Sequence, residues 1–194
     1  SLHQRVLKHQ RAFLFVGGMP EAVNQFAKTE DFRSVKKIQT EILDVYRDDF
    51  NKYSRDTMHP RLHLIFDYAI LHVGEKVIYS KISKDYESKE IKRGIELLSQ
   101  ARVLTKVYNT NSQGIPLKKG IDKNTFKLLF LDVGLLNVGL KLDWGDIINI
   151  PERELLNEGS LAEQFIGQHI REWCDDFEEI DMYYWLREGR SNAA

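Results

Sequence analysis

Cysteine, proline, glycine and long apolar runs are all scarce in this chain, and each scarcity excludes a class of protein. The single cysteine among the 194 residues, Cys174, cannot form an internal disulfide and excludes a cysteine-rich zinc site. With 4 proline and 12 glycine residues, the chain is neither collagen-like nor of low complexity. No apolar run approaches the roughly 20 residues that span a bilayer. We therefore expect a cytoplasmic protein that has no membrane partner.

Two sequence signals are also missing. The chain has no G-x-x-x-x-G-K-[ST], the loop that cradles nucleotide phosphates, so we expect no ATP site in these residues. It begins Ser-Leu-His-Gln, without an initiator methionine or a signal-peptide pattern. The start falls inside a helical pattern, and the end follows a strand that has gained no partner. We interpret the chain as a piece of a larger polypeptide.

Charge is nearly balanced, at −1 overall, but it is unevenly distributed. Residues 1–60 carry 10 basic and 8 acidic side chains, residues 61–120 carry 11 and 6, and residues 121–194 carry 7 and 15. A basic middle and an acidic end are typical of modules that have different partners or that dock on each other. A solvated surface of mixed charge would also give a moderate asymmetry.

The first sixty residues predict a helical segment. One helical pattern stops at Gly17-Gly18, and Pro20 suits the first turn of the next helix. Asp31 opens a third helix, in which apolar residues recur at helical spacing: Val35, Ile38, Ile42, Tyr46 and Phe50. Nothing in this segment requires catalysis.

Residues 60–120 predict a winged helix-turn-helix. Its order of elements is helix, short helix, helix and hairpin, matched here by Pro60 to about Val73, Tyr79–Ser83, Ser88–Ala101, and strands over 103–108 and 115–119. The helix over Ser88–Ala101 would be the recognition helix. Its candidate phosphate contacts are Lys89, Lys92 and Arg93, with Lys106 in the hairpin. Glu90 and Glu96 would repel phosphate, and many winged helices dock on protein, so DNA and protein both remain open as partners.

The last third predicts a buried strand over Phe126–Asp132, a helix from Ser160 and a short aromatic strand over Met182–Trp185. Ser160 and Glu163 fit the capping box S-x-x-E, in which the glutamate binds a backbone N–H at the helix start. Cys174 and His169 are five apart on a helix, which is poor alignment for a nucleophile and its base.

Two histidines earlier in the chain have a spacing that suits zinc. His59 and His63 are four apart and could share a helix face. No third ligand follows at a suggestive spacing, and Pro60 between them favours a helix start over a metal site. We therefore expect no metal site in the chain.

Five segments together resemble one family: GGMPEAV over Gly17–Val23, IQTEIL over Ile38–Leu43, DVGLL over Asp132–Leu136, GSLAEQF over Gly159–Phe165 and YYWLR over Tyr183–Arg187. In this order, along nearly the whole chain, the sequence is similar to uncharacterised prokaryotic AAA-type ATPases of the AAA+ superfamily that end in the domain of unknown function 4143. The fold class that follows is α+β and mostly helical.

The resemblance implies three parts. Residues 1–59 would be a helical segment like an ATPase lid or linker, residues 60–120 a winged-helix-like domain, and residues 121–194 a partial PD-(D/E)XK nuclease-like domain, an incomplete α/β restriction-endonuclease-like module. Glu163 would be the helix carboxylate of the nuclease site. The family's Glu-Val-Asp and Glu-x-Lys strands do not follow, and one carboxylate cannot assemble a Mg²⁺ site. ATP and Mg²⁺ are implied for the parent family only, and no cofactor is expected in this chain.

Three hypotheses of function remain open. The chain is a non-catalytic regulatory and binding region of an ATPase, which contacts DNA or the upstream ATPase domain through its winged helix. Alternatively, it is an incomplete part of an ATPase-linked, Mg²⁺-dependent nuclease-like enzyme. The third hypothesis is a protein-protein docking arm. We expect neither ATP hydrolysis nor DNA cleavage by these residues alone.

Overall fold

The computed structural model describes residues 2–53, 58–112, 114–152, 159–173 and 181–185. They form an α+β fold that is mostly helical, as predicted. The helices are α1 Leu2–Val16, α2 Pro20–Thr29, α3 Phe32–Tyr53, α4 His59–Leu71, α5 Tyr79–Ile82, α6 Ser88–Gln100, α7 Val133–Gly139, α8 Trp144–Asn149 and α9 Ser160–Glu172. The strands are β1 Leu104–Thr110, β2 Ile121–Phe130 and β3 Met182–Tyr184. Cys174 and the acidic stretch 175–179 lie outside the described residues.

The N-terminal helices begin and end where their local signals predict. Gly17 separates α1 from α2 and has φ of 70°, a conformation that glycine adopts without strain. Pro20 starts α2, where a missing N–H costs no helical hydrogen bond. Asp31 caps α3, because its carboxylate accepts hydrogen bonds from the backbone N–H groups of Arg33 and Ser34.

The sheet has the strand order β2-β1-β3. Strands β1 and β2 are antiparallel, with Leu104 opposite Phe130, and β3 lies parallel to β1, with Val107 opposite Met182. The predicted strands over Phe126–Asp132 and Met182–Trp185 are thus confirmed in their main parts.

The predicted return strand over residues 115–119 is wrong. Leu117–Gly120 form a 3₁₀ turn, and β2 begins only at Ile121. The turn is held by hydrogen bonds from the Thr110 hydroxyl to the Leu117 carbonyl and from the Asn111 N–H to the Gly120 carbonyl. Ile115 is 98% exposed, so it has no core to face, whereas Phe126 and Leu128 are buried and align β2 on β1.

Between α4 and α5 the chain makes a short additional pairing with the sheet. Lys76 forms an antiparallel bridge with Lys127 of β2. The N–H groups of Gly74 and Val77 donate to the carbonyls of Leu128 and Phe126. The order from α4 is therefore helix, bridge, helix, helix and hairpin.

Two apolar clusters hold the molecule together, and each draws on distant parts of the chain. One contains the sheet, α4, α6 and the inner side of α3, with Phe66, Ile95 and Phe130 among its buried residues. The other joins α1, α2, α3, α7 and α8, with Phe15 and Val133 at its centre. The first cluster draws on all three predicted parts, and the second joins the part before residue 60 to the part after residue 120. Among the described helices, none is both long and apolar enough to cross a membrane.

Candidate functional site

The outer side of α6 carries the basic residues that the sequence predicted as phosphate contacts. Lys89, Lys92 and Arg93 are all exposed, and we call these three residues the α6 basic face. The opposite side of the helix is buried through Ile91, Gly94, Ile95 and Leu98. Gly94 lets α4 approach closely, because a Cβ there would lie 2.3 Å from the Cδ1 of Ile65. The helix is therefore fixed on the core while its cations point to solvent.

The two glutamates of α6 are each paired with a cation from the protein interior. Arg61 lies 2.6 Å from Glu90 and also stacks over Tyr86 at 4.6 Å. Lys106 lies 2.5 Å from Glu96. These ion pairs offset the negative charge that would otherwise repel phosphate.

Lys106 is placed differently from the other predicted phosphate contacts. Its side chain is 10% exposed, and its ammonium lies 5.7 Å above the ring of Phe126 besides pairing with Glu96. Lys106 therefore has little surface left for a phosphate and serves mainly to neutralise Glu96. Exposed Lys81 and Lys84 near α5 add positive charge that the motif argument missed, although the exposed Asp85 and Glu87 partly offset it.

Glu163 does not act as a helix cap, so the capping-box prediction is wrong. Gly159 is the N-cap of α9, with φ of 103°, and no side-chain cap hydrogen bond is present. Because the helix begins one residue earlier than the capping box requires, Glu163 lies one position beyond N3, a full turn inside the helix. Its carboxylate instead accepts two hydrogen bonds from the Lys127 ammonium, at 2.7 and 2.8 Å.

The surroundings of Glu163 do not fit the Mg²⁺ that the nuclease resemblance implies. Lys127 is 18% exposed and lies 5.0 Å above the ring of Tyr184, so its positive charge occupies the place where a cation would bind. In the described parts of the chain, no group of three His, Cys, Asp or Glu side chains converges on one point. Two or more carboxylates are the ordinary ligand set of such a centre. We therefore derive no metal-dependent step here.

Sequence reasoning missed Lys127 because its partner lies 36 positions away. The only local signal is the alternation of Phe126, Lys127 and Leu128, which places Lys127 on the opposite side of β2 from its buried neighbours. The raised pKa of Tyr184, caused by burial and then by the negative charges of Asp122 and Glu163, is consistent with this polar corner of the sheet.

A buried carboxylate joins three distant segments. Asp132 is 2% exposed and lies at the N-cap of α7. Its Oδ1 accepts hydrogen bonds from the N–H groups of Gly134 and Leu135, at 2.9 and 3.0 Å. Its Oδ2 accepts from the Gly18 N–H at 2.7 Å and from the Gln168 side chain at 3.0 Å. We call these five residues the Asp132 hub.

Further side-chain amides attach α1 and β2 to the same region. Gln39 of α3 donates to the carbonyls of both Phe15 and Val16, each at 2.9 Å. These carbonyls are at the C-terminal end of α1, where the helix itself supplies no donor. Gln164 of α9 bonds both the N–H and the carbonyl of Phe130, at 2.8 Å each. Four of the five segments that carried the family resemblance thus supply residues to one hydrogen-bond network.

This network gives several of the motif residues a structural role. The glycine pair at 17–18, Gln39, Asp132 and Gln164 each make contacts that hold backbone to backbone. Gln39, Asp132 and Gln164 are buried, and their side chains bind backbone groups of neighbouring elements. Their role in the described structure is to join α1, α3, β2, α7 and α9.

Comparison with known proteins gives one match. A family model described as Domain of unknown function (DUF8612) covers residues 7–146, and the chain belongs to that family. The chain matches no curated protein and no solved structure. The relationship to AAA-type ATPases stays a prediction from the sequence segments.

Proposed function

We propose that this member of the DUF8612 family is a non-catalytic regulatory and binding region that contacts duplex DNA through the α6 basic face. The part from α4 to β2 would act as a winged helix-turn-helix with α6 as its recognition helix. The parent protein would be an AAA-type ATPase of the kind that the sequence segments resemble. The observation that carries the proposal is the α6 basic face, which is exposed while its neighbouring acids are paired internally.

The order of elements supports the winged-helix part of the proposal. In such domains a short strand follows the first helix and pairs with the last strand of the hairpin, and the bridge between Lys76 and Lys127 has this position. The second helix of the helix-turn-helix motif, which is the third in a three-helix domain, is the one that reads DNA. Here that helix is α6, and its apolar side lies on α4.

Charge supports an anionic partner such as the phosphate backbone of DNA. The predicted phosphate contacts Lys89, Lys92 and Arg93 occur on one helix within five residues. Arg61 and Lys106 neutralise the glutamates of the same helix. Contacts of this kind to phosphate are independent of sequence and release bound counterions, so binding should weaken steeply with salt.

The test is fluorescence anisotropy with a labelled 20-base-pair duplex of mixed sequence. Three phosphate contacts predict that affinity falls by about 40-fold between 50 and 200 mM salt. The triple variant Lys89→Glu, Lys92→Glu, Arg93→Glu should lose at least about tenfold in affinity at low salt. The matched control changes Arg5, Lys8 and Lys37 to Glu, which alters net charge equally on exposed parts of α1 and α3. Equal affinity of the two triple variants would remove α6 from the interface.

A protein-docking arm is a second candidate, favoured by a different observation. Ile166, Ile170 and Trp173, at helical spacing along α9 and just after it, are exposed apolar side chains. A surface of this kind suits an apolar partner such as the upstream ATPase domain. Salt separates the two functions, because apolar docking is not weakened by the salt that dissociates phosphate contacts.

A further inference from the structure

We propose that His59 and His63 form a two-histidine site for a divalent transition-metal ion of tetragonal geometry, Cu²⁺ or Ni²⁺. In the sequence, a helix start and a metal site are alternatives for these residues, whereas in the structure both can occur together. Helix α4 begins at His59, and Pro60 occupies a first-turn position where no N–H is needed. The two histidines therefore share one face of the first turn. Their Nε2 atoms lie 2.9 Å apart.

The distance between the two Nε2 atoms is compatible with binding of one ion at a right angle. Bonds of about 2.05 Å from a metal to two imidazoles place the nitrogens about 2.9 Å apart at a right angle and about 3.3 Å apart at the tetrahedral angle. The observed separation is 2.9 Å. Right-angled nitrogen ligands are typical of Cu²⁺ and Ni²⁺, whereas structural Zn²⁺ is tetrahedral. Without metal, the same geometry lets one ring donate its N–H to the other.

The packing around the pair holds the rings in place. Both histidines are half-buried, and their ring centroids lie 4.5 Å apart at 73°. The ring of Phe50 packs edge-on against His63 at 5.4 Å. Rings that are already ordered lose less conformational freedom when an ion binds, which raises the affinity of a preorganised site.

The surroundings of His63 act on its pKa in both directions. Burial and then the adjacent His59 lower the pKa of His63 from 6.5, and Arg47 acts in the same direction. Asp67 on α4 and Asp48 on α3 act in the opposite direction. An ion at this site would compete with protons and with the hydrogen bond between the two rings for the same nitrogen atoms.

The proposed ion would keep water in its remaining positions. In the part of the chain that the structure describes, no third His, Cys, Asp or Glu joins the pair as a ligand. An ion that is bound by only two imidazoles exchanges readily with the solution. The site would therefore bind metal reversibly and would not be a closed structural centre.

The experiment uses the tag-free protein in a His3→Gln background. A free amino group followed by a histidine at the third position would itself chelate Cu²⁺ and Ni²⁺, and this substitution removes that competitor. Titration calorimetry with Ni²⁺ and Zn²⁺ at pH 7.5 gives stoichiometry and affinity. Electron paramagnetic resonance with one equivalent of Cu²⁺ reports the number of nitrogen ligands. The variants are His59→Gln, His63→Gln and the control His72→Gln, which changes the histidine at the other end of α4.

We expect one Ni²⁺ per chain, two imidazole nitrogens on Cu²⁺, and tighter binding of Ni²⁺ than of Zn²⁺. His59→Gln and His63→Gln should each weaken Ni²⁺ binding at least tenfold, while His72→Gln leaves it unchanged. Either histidine variant suffices if the other fails to fold. Affinities of both histidine variants within threefold of the control would overturn the site, and tighter binding of Zn²⁺ would overturn its tetragonal geometry.

Discussion

The α6 basic face and the Asp132 hub differ in how the fold treats charge. Three cations of α6 are exposed, and the acids beside them are bound by Arg61 and Lys106. The Asp132 carboxylate is instead enclosed and accepts four hydrogen bonds. Exposed charge is available to a partner, whereas enclosed charge organises the chain. The comparison separates residues that we assign to binding from those that hold the structure.

The largest expected effect is loss of the hub anion. Asp132→Ala leaves the N–H groups of Gly18, Gly134 and Leu135 without their acceptor, the last two of them buried, so we expect a loss of about 3–5 kcal/mol in unfolding free energy. Urea denaturation followed by circular dichroism measures it. The control Asp122→Ala removes an exposed carboxylate that also bonds a nearby N–H, and it should cost about 1 kcal/mol or less.

If Asp132→Ala does not fold, Asp132→Asn keeps the comparison measurable. Its amide supplies one acceptor where the carboxylate supplies two, so the loss should be smaller but clear. Equal stability of the Asp132 and Asp122 variants would show that the hub is not what holds α1 to α7.

A smaller loss is expected from Gly17→Ala, which tests how closely α1 approaches the hub. The φ of 70° disfavours a Cβ, and that Cβ would lie 2.1 Å from the Asp132 Oδ1. We expect a loss of about 2–3 kcal/mol, again by urea denaturation. Gly114→Ala is the control, because nothing lies within 4 Å of its Cβ position. A cost no greater than that of Gly114→Ala would contradict the close approach.

The smallest expected effect is a gain in DNA affinity at the α6 basic face. Glu96→Gln removes a negative charge beside the α6 basic face and releases Lys106, so DNA affinity at 100 mM salt should rise about threefold. The matched control is Glu41→Gln, which likewise removes one acid and releases a lysine, Lys37, but on α3. Anisotropy measures both, and an equal gain in the two variants would attribute it to net charge alone.

Sequence reasoning succeeded where the signal is local. The breaks at Gly17 and Pro20, the cap at Asp31 and the apolar repeat of α3 each depend on neighbours within a few residues. The overall class, α+β and mostly helical, follows from such signals summed along the chain.

Sequence reasoning failed where the residue that a side chain contacts lies far away along the chain. Glu163 was predicted to cap its own helix, but the decisive contact is Lys127, 36 positions away. Gly18 and Asp132 are 114 positions apart, and no periodicity in the sequence connects them. The return strand was misplaced because the turn residues at 109–114 suggested a hairpin that closes directly after them, while the buried Phe126 and Leu128 set the actual register.

The most direct test of the account measures two properties of the same protein, the Lys89→Glu, Lys92→Glu, Arg93→Glu variant. The account predicts that its DNA affinity falls at least about tenfold while its unfolding free energy stays within about 0.5 kcal/mol of the parent, because exposed charges contribute little to stability. Unchanged DNA binding, or a loss of stability comparable with that of Asp132→Ala, would contradict the assignment of α6 to binding and of the hub to structure.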